Sequence, residues 1–197
     1  METKELKILE KSIKYKFKDD NLLMLAMTHR SHSGKNNERL EFLGDSILNF
    51  VVADLLFKKF NDLDEGDLSR LRSQLVKEEP LSKLGNGLKI GDFLNLGVGE
   101  LKSSGWRRPS ILADAFEALI GAIFIDGGMK SAYKFIEDSY AELIEKINPK
   151  EIHKDPKTIL QEFLQAQKVP LPSYEVINVE GEAHNQLFTV TCVVSKF

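Results

Sequence analysis

Hydrophobic side chains recur at helical spacing through the first three quarters of the chain. Leu6, Leu9 and Ile13 begin the pattern, and a second cluster at 22–26 follows Asn21, which we expect to cap that helix. Apolar positions three or four residues apart line one side of a helix and pack it against a core. The same spacing predicts five further helical segments, at 42–60, 67–76, 80–88, 111–125 and 129–147.

The pattern changes after Pro149, where a short polar stretch predicts a linker. An amphipathic helix is predicted at 157–167. Hydrophobic and polar residues then alternate at 174–179 and at 187–194, which is typical of strands. We therefore predict an all-α domain, a linker and a small α+β domain, at 1–149, 150–155 and 156–197.

Composition indicates the cellular compartment in which the protein works. No apolar run approaches the roughly 18 residues that a membrane span needs, and the N-terminus lacks the apolar stretch of a secretory signal. The single cysteine, Cys192, suits a reducing compartment. We therefore expect a cytoplasmic protein that does not cross a membrane.

The net charge of −3 argues mildly against nucleic-acid binding, and neither half is basic, so such a function must rest on the placement of particular residues.

One segment, at 37–46, carries three acidic residues on one helical stripe. Glu38, Glu41 and Asp45 stand at i, i+3 and i+7. Stacked like charges destabilise a helix unless they share a cation, and these acids lie beside an apolar face that includes Leu40 and Phe50. A shared metal ion is one interpretation. A solvated acidic stripe without a specific role is the other.

A second pair of acids lies in the most apolar segment of the chain. Asp114 and Glu117 are three residues apart in a helix that should be buried on all sides. Buried carboxylates persist when they pair with a cation or bind a metal. The nearest basic residues in sequence, Arg107 and Arg108, leave a structural ion pair open as the alternative to metal binding.

Carboxylates from two helices form an oxygen ligand set that suits Mg²⁺, with Mn²⁺ as a substitute, better than zinc. Phosphoryl hydrolysis is the chemistry that such a site favours. Glu65 is either a further outer carboxylate or part of a helix cap in the turn at 64–67. Other sites are not indicated: Gly97-Val98-Gly99 predicts only a turn, the histidines lack zinc spacing, and no serine occupies a nucleophile elbow.

Several of these segments together resemble the ribonuclease III family. The stretch at 37–46 is similar to the family signature, and four more segments resemble it in the same order: 28–31, 64–69, 99–102 and 111–121. The resemblance covers essentially the whole chain. It implies an all-α endonuclease domain, a homodimer, and divalent-metal cleavage of double-stranded RNA that leaves 5′-phosphates, 3′-hydroxyls and short 3′ overhangs. Processing of ribosomal and messenger RNA precursors is the implied role.

The resemblance also assigns roles to individual residues. It implies that Glu41, Asp45, Asp114 and Glu117 bind metal, with Asp45 and Glu117 catalytic. Glu38 and Glu65 match accessory acids that are associated with substrate handling and cleavage. The resemblance places Phe42 at the subunit interface, whereas the hydrophobic pattern alone predicts a core position.

The second domain resembles the family's double-stranded-RNA-binding domain, of αβββα type. Its expected RNA contacts are one helix face and a loop at 181–184 that would enter the minor groove. An ordinary polar helix face and hairpin turn are the alternative. The chain stops at Phe197, so we expect the domain to lack its third strand and final helix and to be only partly ordered. The residues predicted to bind RNA are Thr158, Gln161, Glu162, Gln165 and His184.

Three functions follow from these patterns. The leading hypothesis is an active, dimeric nuclease that acts on double-stranded RNA. A binder that has lost catalysis is a second, although the presence of all six acids argues against it. A metal phosphohydrolase acting on mononucleotides is the third, and the second domain argues against it.

Overall fold

The computed structural model describes residues 3–148, 156–182 and 186–195, and side chains from residue 7 onward. The chain forms two compact units, Met1–Lys150 and Glu151–Phe197. Within its described part, the first unit is helical. Its α-helices are α1 (Thr3–Ile13), α2 (Asp20–Ala26), α3 (Glu38–Lys59), α4 (Glu65–Leu75), α5 (Glu78–Gly87), α6 (Val98–Lys102) and α7 (Pro109–Glu145), with 3-10 turns at Ile90–Phe93 and Gly105–Arg107.

Several helix starts differ from the sequence prediction, including that of α3, which begins at Glu38 rather than at residue 42. Asp19, not Asn21, caps α2, because its carboxylate accepts a hydrogen bond from the Asn21 backbone N–H at 3.0 Å. The turn predicted at Gly97-Val98-Gly99 is instead the start of α6, and Gly97 is its N-cap. Local patterns locate a helix more reliably than they locate its first residue.

Helices α3 and α7 form the centre of the first unit, and two glycines allow their close approach. A Cβ at Gly44 would lie 1.8 Å from the Glu117 carbonyl oxygen, and a Cβ at Gly121 would lie 2.2 Å from the Leu40 carbonyl oxygen. Each glycine therefore admits the backbone of the opposing helix where no side chain fits. Leu48, in α3, and many residues of α7 are completely buried around this crossing.

The core prediction for Phe42 is wrong. Its side chain is 77% exposed on α3, and Phe50, which was placed on the apolar face, is 59% exposed. The buried stripe of α3 includes Leu40, as predicted, and continues through Ile47 and Val51. A helix in contact with a single layer buries only one side, so neighbouring apolar residues can fall outside it.

Helix α7 is broken at Gly128, whose φ of 75° and ψ of 179° interrupt the helical backbone. This position separates the two predicted segments at 111–125 and 129–147. The arms on either side pack against each other, since the rings of Phe116 and Phe135 lie 5.6 Å apart. Glycine adopts this positive φ without the strain that a side chain would add.

The second unit contains α8 (Pro156–Ala166), β1 (Ser173–Glu180) and β2 (Leu187–Val193) in its described part. The strands are antiparallel, with Ser173 opposite Val193 and an irregularity between Val176 and Asn178. The predicted order of helix, strand and strand is confirmed. The predicted linker at 150–155 lies outside the described residues.

No helix among the described residues is both long enough and apolar enough to cross a membrane.

Candidate metal centre and RNA-binding surface

Three of the predicted acids meet where α3 crosses α7. Ligand oxygens of Glu41, Asp114 and Glu117 lie within 4.8 Å of one another, and all three side chains are partly buried. The glycine crossing explains this arrangement, because Gly44 and Gly121 lie about one helical turn beyond Glu41 and Glu117 on their helices. We call Glu41, Asp114 and Glu117 the acid trio.

The acid trio holds its protons unusually tightly. Burial, reinforced by the charges of Asp45, Glu41 and Asp114, raises the pKa of Glu117 to about 8. Burial is also the main cause that raises the pKa of Glu41 and of Asp114. Ionised together, the three groups repel one another in a poorly hydrated position. A divalent cation would relieve both the repulsion and the loss of hydration, so this donor set fits a hard metal ion.

The ion-pair alternative for Asp114 and Glu117 is wrong. Arg108 instead pairs with Glu100 at 3.1 Å, and the Arg107 guanidinium lies over the Trp106 ring at 4.1 Å. Among the described residues, neither Asp114 nor Glu117 forms a salt bridge.

Asp45 and Glu38 lie outside the acid trio. Asp45 is exposed and accepts a hydrogen bond from Asn49 Nδ2 at 2.8 Å, yet its charge contributes to the raised pKa of Glu117. Glu38 is exposed, accepts a hydrogen bond from Asn36 Nδ2 at 3.0 Å, and has Arg30 3.6 Å away. The solvated-stripe interpretation therefore describes the surroundings of Glu38 and Asp45, while Glu41 turns toward α7.

Glu65 is not brought to the acid trio within one chain. It is the first residue of α4, and its carboxylate accepts a hydrogen bond from the Ser69 hydroxyl at 3.0 Å. The N-cap is Asp64, whose carboxylate accepts from the Asp67 backbone N–H at 2.7 Å, so capping does not account for Glu65. Glu65 lines a separate groove of about 650 Å³ beside Phe50.

A cleft of about 530 Å³ adjoins the acid trio and includes Arg30, which the sequence analysis did not name, and Arg108, which it considered only as an ion-pair partner. Arg30 and Arg108 line it together with Glu41 and Asp114. The signal was present in the sequence, because Arg30 lies in the family-like segment at 28–31 and Arg108 lies just before the segment at 111–121. The full lining is His29, Arg30, Ser31, Asn37, Glu38, Glu41, Glu100, Arg108, Ser110, Ile111 and Asp114.

Phe42 lies on a largely apolar surface of α3. Phe57, at 69% exposure, follows Phe42 and Phe50 along the same helix. Phe42 also lines a groove of about 990 Å³ with Leu22 and Ile125. Exposed aromatic residues in this number are unusual on a monomer surface and are typical of a protein interface.

In the second unit, the predicted RNA-binding residues of α8 share one helix face. Thr158 and Gln161 are partly exposed, whereas Glu162 and Gln165 are exposed. Leu164 is completely buried. The loop residues Gly181 and Glu182 are exposed, and His184 lies outside the described residues.

Comparison with known proteins identifies both units. A family model described as "Ribonuclease-III-like" matches residues 19–144, and one described as "Double-stranded RNA binding motif" matches residues 156–197. "Ribonuclease 3" from Aliivibrio fischeri is 55% identical over 190 residues, which cover 96% of this chain and 85% of that protein. "Ribonuclease 3" from Cupriavidus pinatubonensis is 52% identical over 97% of this chain and 75% of its own.

Solved structures agree with these relatives. The nuclease domain of ribonuclease III from Campylobacter jejuni superposes with a TM-score of 0.70 at 45% identity, covering 75% of this chain and all of that one. A second structure of that domain, whose description mentions a region involved in dimer formation, gives a TM-score of 0.66 at 47% identity and covers 69% of this chain and 99% of that one.

Proposed function

The chain belongs to the ribonuclease III family, and on that premise we propose which of its residues carry out the cleavage of double-stranded RNA. The protein is an endoribonuclease whose partners are duplex RNA and a second copy of itself. The acid trio is the observation that supports the assignment below, because it places three carboxylates within 4.8 Å where a core would normally exclude them.

Glu41, Asp114 and Glu117 hold a divalent cation, for which we propose Mg²⁺ with Mn²⁺ as a substitute, and Asp45 completes the ligand set. When bound, such an ion lowers the pKa of a coordinated water and offsets charge on the attacked phosphodiester. The chain contributes the position of the carboxylates. It also keeps Glu117 partly buried, so that this group releases its proton when a cation is available to replace it.

Asp45 and Glu117 are the proposed catalytic residues at this centre. Glu117 belongs to the acid trio, and Asp45 is near enough for its charge to raise the pKa of Glu117. Asp45 is exposed enough to reach a water molecule through its second carboxylate oxygen. We propose accessory roles in substrate handling and cleavage for Glu38, which lines the cleft, and for Glu65, which lies in the separate groove.

The subunit interface is proposed to include Phe42. Its 77% exposure removes the alternative that it belongs to the core of one chain. Burial of an aromatic ring of this size against a second subunit would contribute about 2–3 kcal/mol per copy.

The domain boundaries remain as the sequence predicts them, at 1–149, 150–155 and 156–197. In the last of these, Thr158, Gln161, Glu162 and Gln165, with His184 in the loop, are the proposed contacts to the minor groove. Hydroxyl and amide side chains can pair with the 2′-hydroxyl groups that distinguish RNA. We further propose that the protein works in the cytoplasm on ribosomal and messenger RNA precursors.

The test is cleavage of an end-labelled RNA duplex with and without Mg²⁺, by the full chain and by Glu117→Gln. Glu142→Gln is the matched control, because Glu142 is an exposed glutamate on the same helix that pairs with Lys146. We expect the wild type and the control to cut only with Mg²⁺, and Glu117→Gln to bind the duplex without cutting it. Binding without cutting by all three proteins would instead indicate a binder that has lost catalysis.

A further inference from the structure

The cleft beside the acid trio has two chemically different sides. Glu41 and Asp114 line it from α3 and α7, while Arg30 and Arg108 line it from the loop after α2 and from the start of α7. The acids account for metal binding in the proposed function. The two guanidinium groups have no role in that account.

Arg30 extends from a loop that is held firmly in place. The backbone N–H of His29 donates to the Asn95 carbonyl at 3.1 Å, and the Gly97 N–H donates to the Ser31 hydroxyl at 2.9 Å. The loop and the Gly97 backbone are in such close contact that a Cβ on Gly97 would lie 2.3 Å from the Ser31 carbonyl oxygen. The base of the Arg30 side chain is therefore fixed, although its end is 71% exposed.

Arg108 is the N-cap residue of α7 and is positioned by polar neighbours. Its guanidinium contacts Glu100 at 3.1 Å and donates to the Ser103 hydroxyl at 3.3 Å. Ser110, in the first turn of α7, lines the same cleft. The positive end of this long helix adds to the attraction that Arg108 exerts on an anion.

Neither arginine forms a salt bridge with the acid trio, although the charge of Arg30 lowers the pKa of Glu41 and of Asp114 against the larger opposing effect of burial. Arg30 pairs with Glu38 and Arg108 with Glu100, and both of these carboxylates lie outside the trio. The Arg30–Glu38 pair is exposed and the Arg108 side chain is about half exposed, so each guanidinium can exchange its carboxylate for a stronger anion at small cost.

We propose that Arg30 and Arg108 bind the RNA phosphate next to the phosphodiester that is cut. The inference rests on the proposed function, since it takes the acid trio as the place of cleavage. A guanidinium suits this task because its N–H groups match two phosphate oxygens at once. Held on two separate supports, the pair would fix the strand so that the phosphodiester to be cut lies over Glu41, Asp114 and Glu117.

The experiment compares the Arg30→Gln/Arg108→Gln double variant with Arg107→Gln. Arg107 is adjacent in sequence but lies over Trp106 and does not line the cleft, so it controls for the loss of general positive charge. Single-turnover cleavage at saturating RNA is measured with Mg²⁺. Duplex affinity is measured across a salt series for the same variants combined with Glu117→Gln, so that the RNA is not cut during the measurement.

We expect the double variant to lower the saturating rate about tenfold or more, because lost positioning affects the reacting complex itself. The slope of log affinity against log salt should fall by about 0.7–0.9 for each phosphate contact removed. Arg107→Gln should leave the saturating rate unchanged. Arg30→Lys and Arg108→Lys should keep the salt slope and recover part of the rate, since lysine retains the charge but not the paired donors.

An unchanged saturating rate, or an unchanged salt slope, in the double variant would overturn the proposal. Arginines that act only as counter-ions would, when removed, strengthen Mn²⁺ binding without changing the salt slope. Thermal unfolding checks folding, and the single variants repeat the test if the double variant is unstable. Failure of the wild type to cut would refute the proposed function instead, so the two failures are distinguishable.

Discussion

The two units of this protein are stabilised in different ways. In the first, α3 and α7 pass so closely that two glycines are required, and residues from Leu9 to Ile144 are buried around them. In the described part of the second, Leu164 and Pro172 are the buried residues, and both strands are exposed along their whole length. The same chain thus combines a tightly packed unit with an open one.

The two units are also expected to perform different tasks. A metal centre depends on carboxylates held within fractions of an ångström, which requires a rigid crossing of helices. Recognition of duplex RNA depends on several polar contacts spread over a surface, each contributing a modest share. We therefore expect that adding one atom to the first unit severely impairs stability and cleavage. Removing one side chain from the second unit should have only a mild effect on cleavage.

The largest effect is expected from Gly44→Ala. The new Cβ would meet the Glu117 carbonyl oxygen at 1.8 Å, so α3 and α7 must move apart. We expect a loss of about 2–3 kcal/mol in the free energy of unfolding. We also expect about a hundredfold slower cleavage, because displacement of a reacting group by 1 Å costs about that much. Chemical denaturation and single-turnover kinetics measure the two effects.

Gly87→Ala is the control for that substitution. Gly87 is also helical, but a Cβ there would meet nothing within 4 Å. Its replacement should leave cleavage unchanged and raise the free energy of unfolding by about 0.5 kcal/mol. Equal behaviour of the two variants would show that the helix crossing does not position the acid trio.

A change of pH should affect the packed unit next most strongly. The pKa of Glu117 in the folded protein is about 8, above the value of about 4.3 expected when unfolded. The folded state therefore binds the proton more tightly than the unfolded state does. The resulting contribution to stability is complete below the unfolded pKa and is lost as pH rises toward 8. Denaturation of metal-free protein at several pH values measures this, and Glu117→Gln should remove most of the dependence.

The same proton should control catalysis in the opposite direction. Metal binding requires deprotonated Glu117, so cleavage at limiting Mg²⁺ should rise about tenfold per pH unit until pH approaches the pKa of about 8. Saturating Mg²⁺ should shift this rise to lower pH. A pH profile that does not move with Mg²⁺ concentration would contradict a role for Glu117 as a metal ligand.

Smaller effects are expected at Glu38 and Glu65, the two proposed accessory acids. Glu38 has exposed polar partners and Glu65 lies in the separate groove, so neither is needed to complete the trio. Glu38→Gln and Glu65→Gln should each slow cleavage about tenfold, equivalent to about 1.4 kcal/mol in the barrier. Steady-state kinetics on an RNA duplex measures this, and a loss equal to that of Glu117→Gln would place either acid at the metal.

The smallest effect on catalysis is expected from Leu164→Ala in the second unit. Truncation of this buried side chain should destabilise α8 by about 2–3 kcal/mol and weaken duplex binding. The saturating cleavage rate and the thermal unfolding of the first unit should not change. Ile159→Ala, on the same helix but 51% exposed, is the control and should bind RNA normally.

Much of the candidate site could be predicted from local sequence. The spacing of Glu41 and Asp45, and of Asp114 and Glu117, identified acids in apolar helices, and that observation depends only on helical periodicity. The break at Gly128 and the change of pattern after Pro149 were equally local. Helix starts were less certain, because a cap depends on one hydrogen bond and Asp19 competed with Asn21.

Tertiary structure decided which acids meet. Periodicity placed Glu38, Glu41 and Asp45 on one stripe, but only the crossing at Gly44 and Gly121 brings Glu41 to the acids of α7. It also turned Phe42 to the surface and brought Arg30 into the same cleft as Arg108. The sequence by itself determined the helices and their chemistry, since both depend on neighbouring residues. The distances between helices depend on packing among residues far apart in the chain, so only the fold could settle the site.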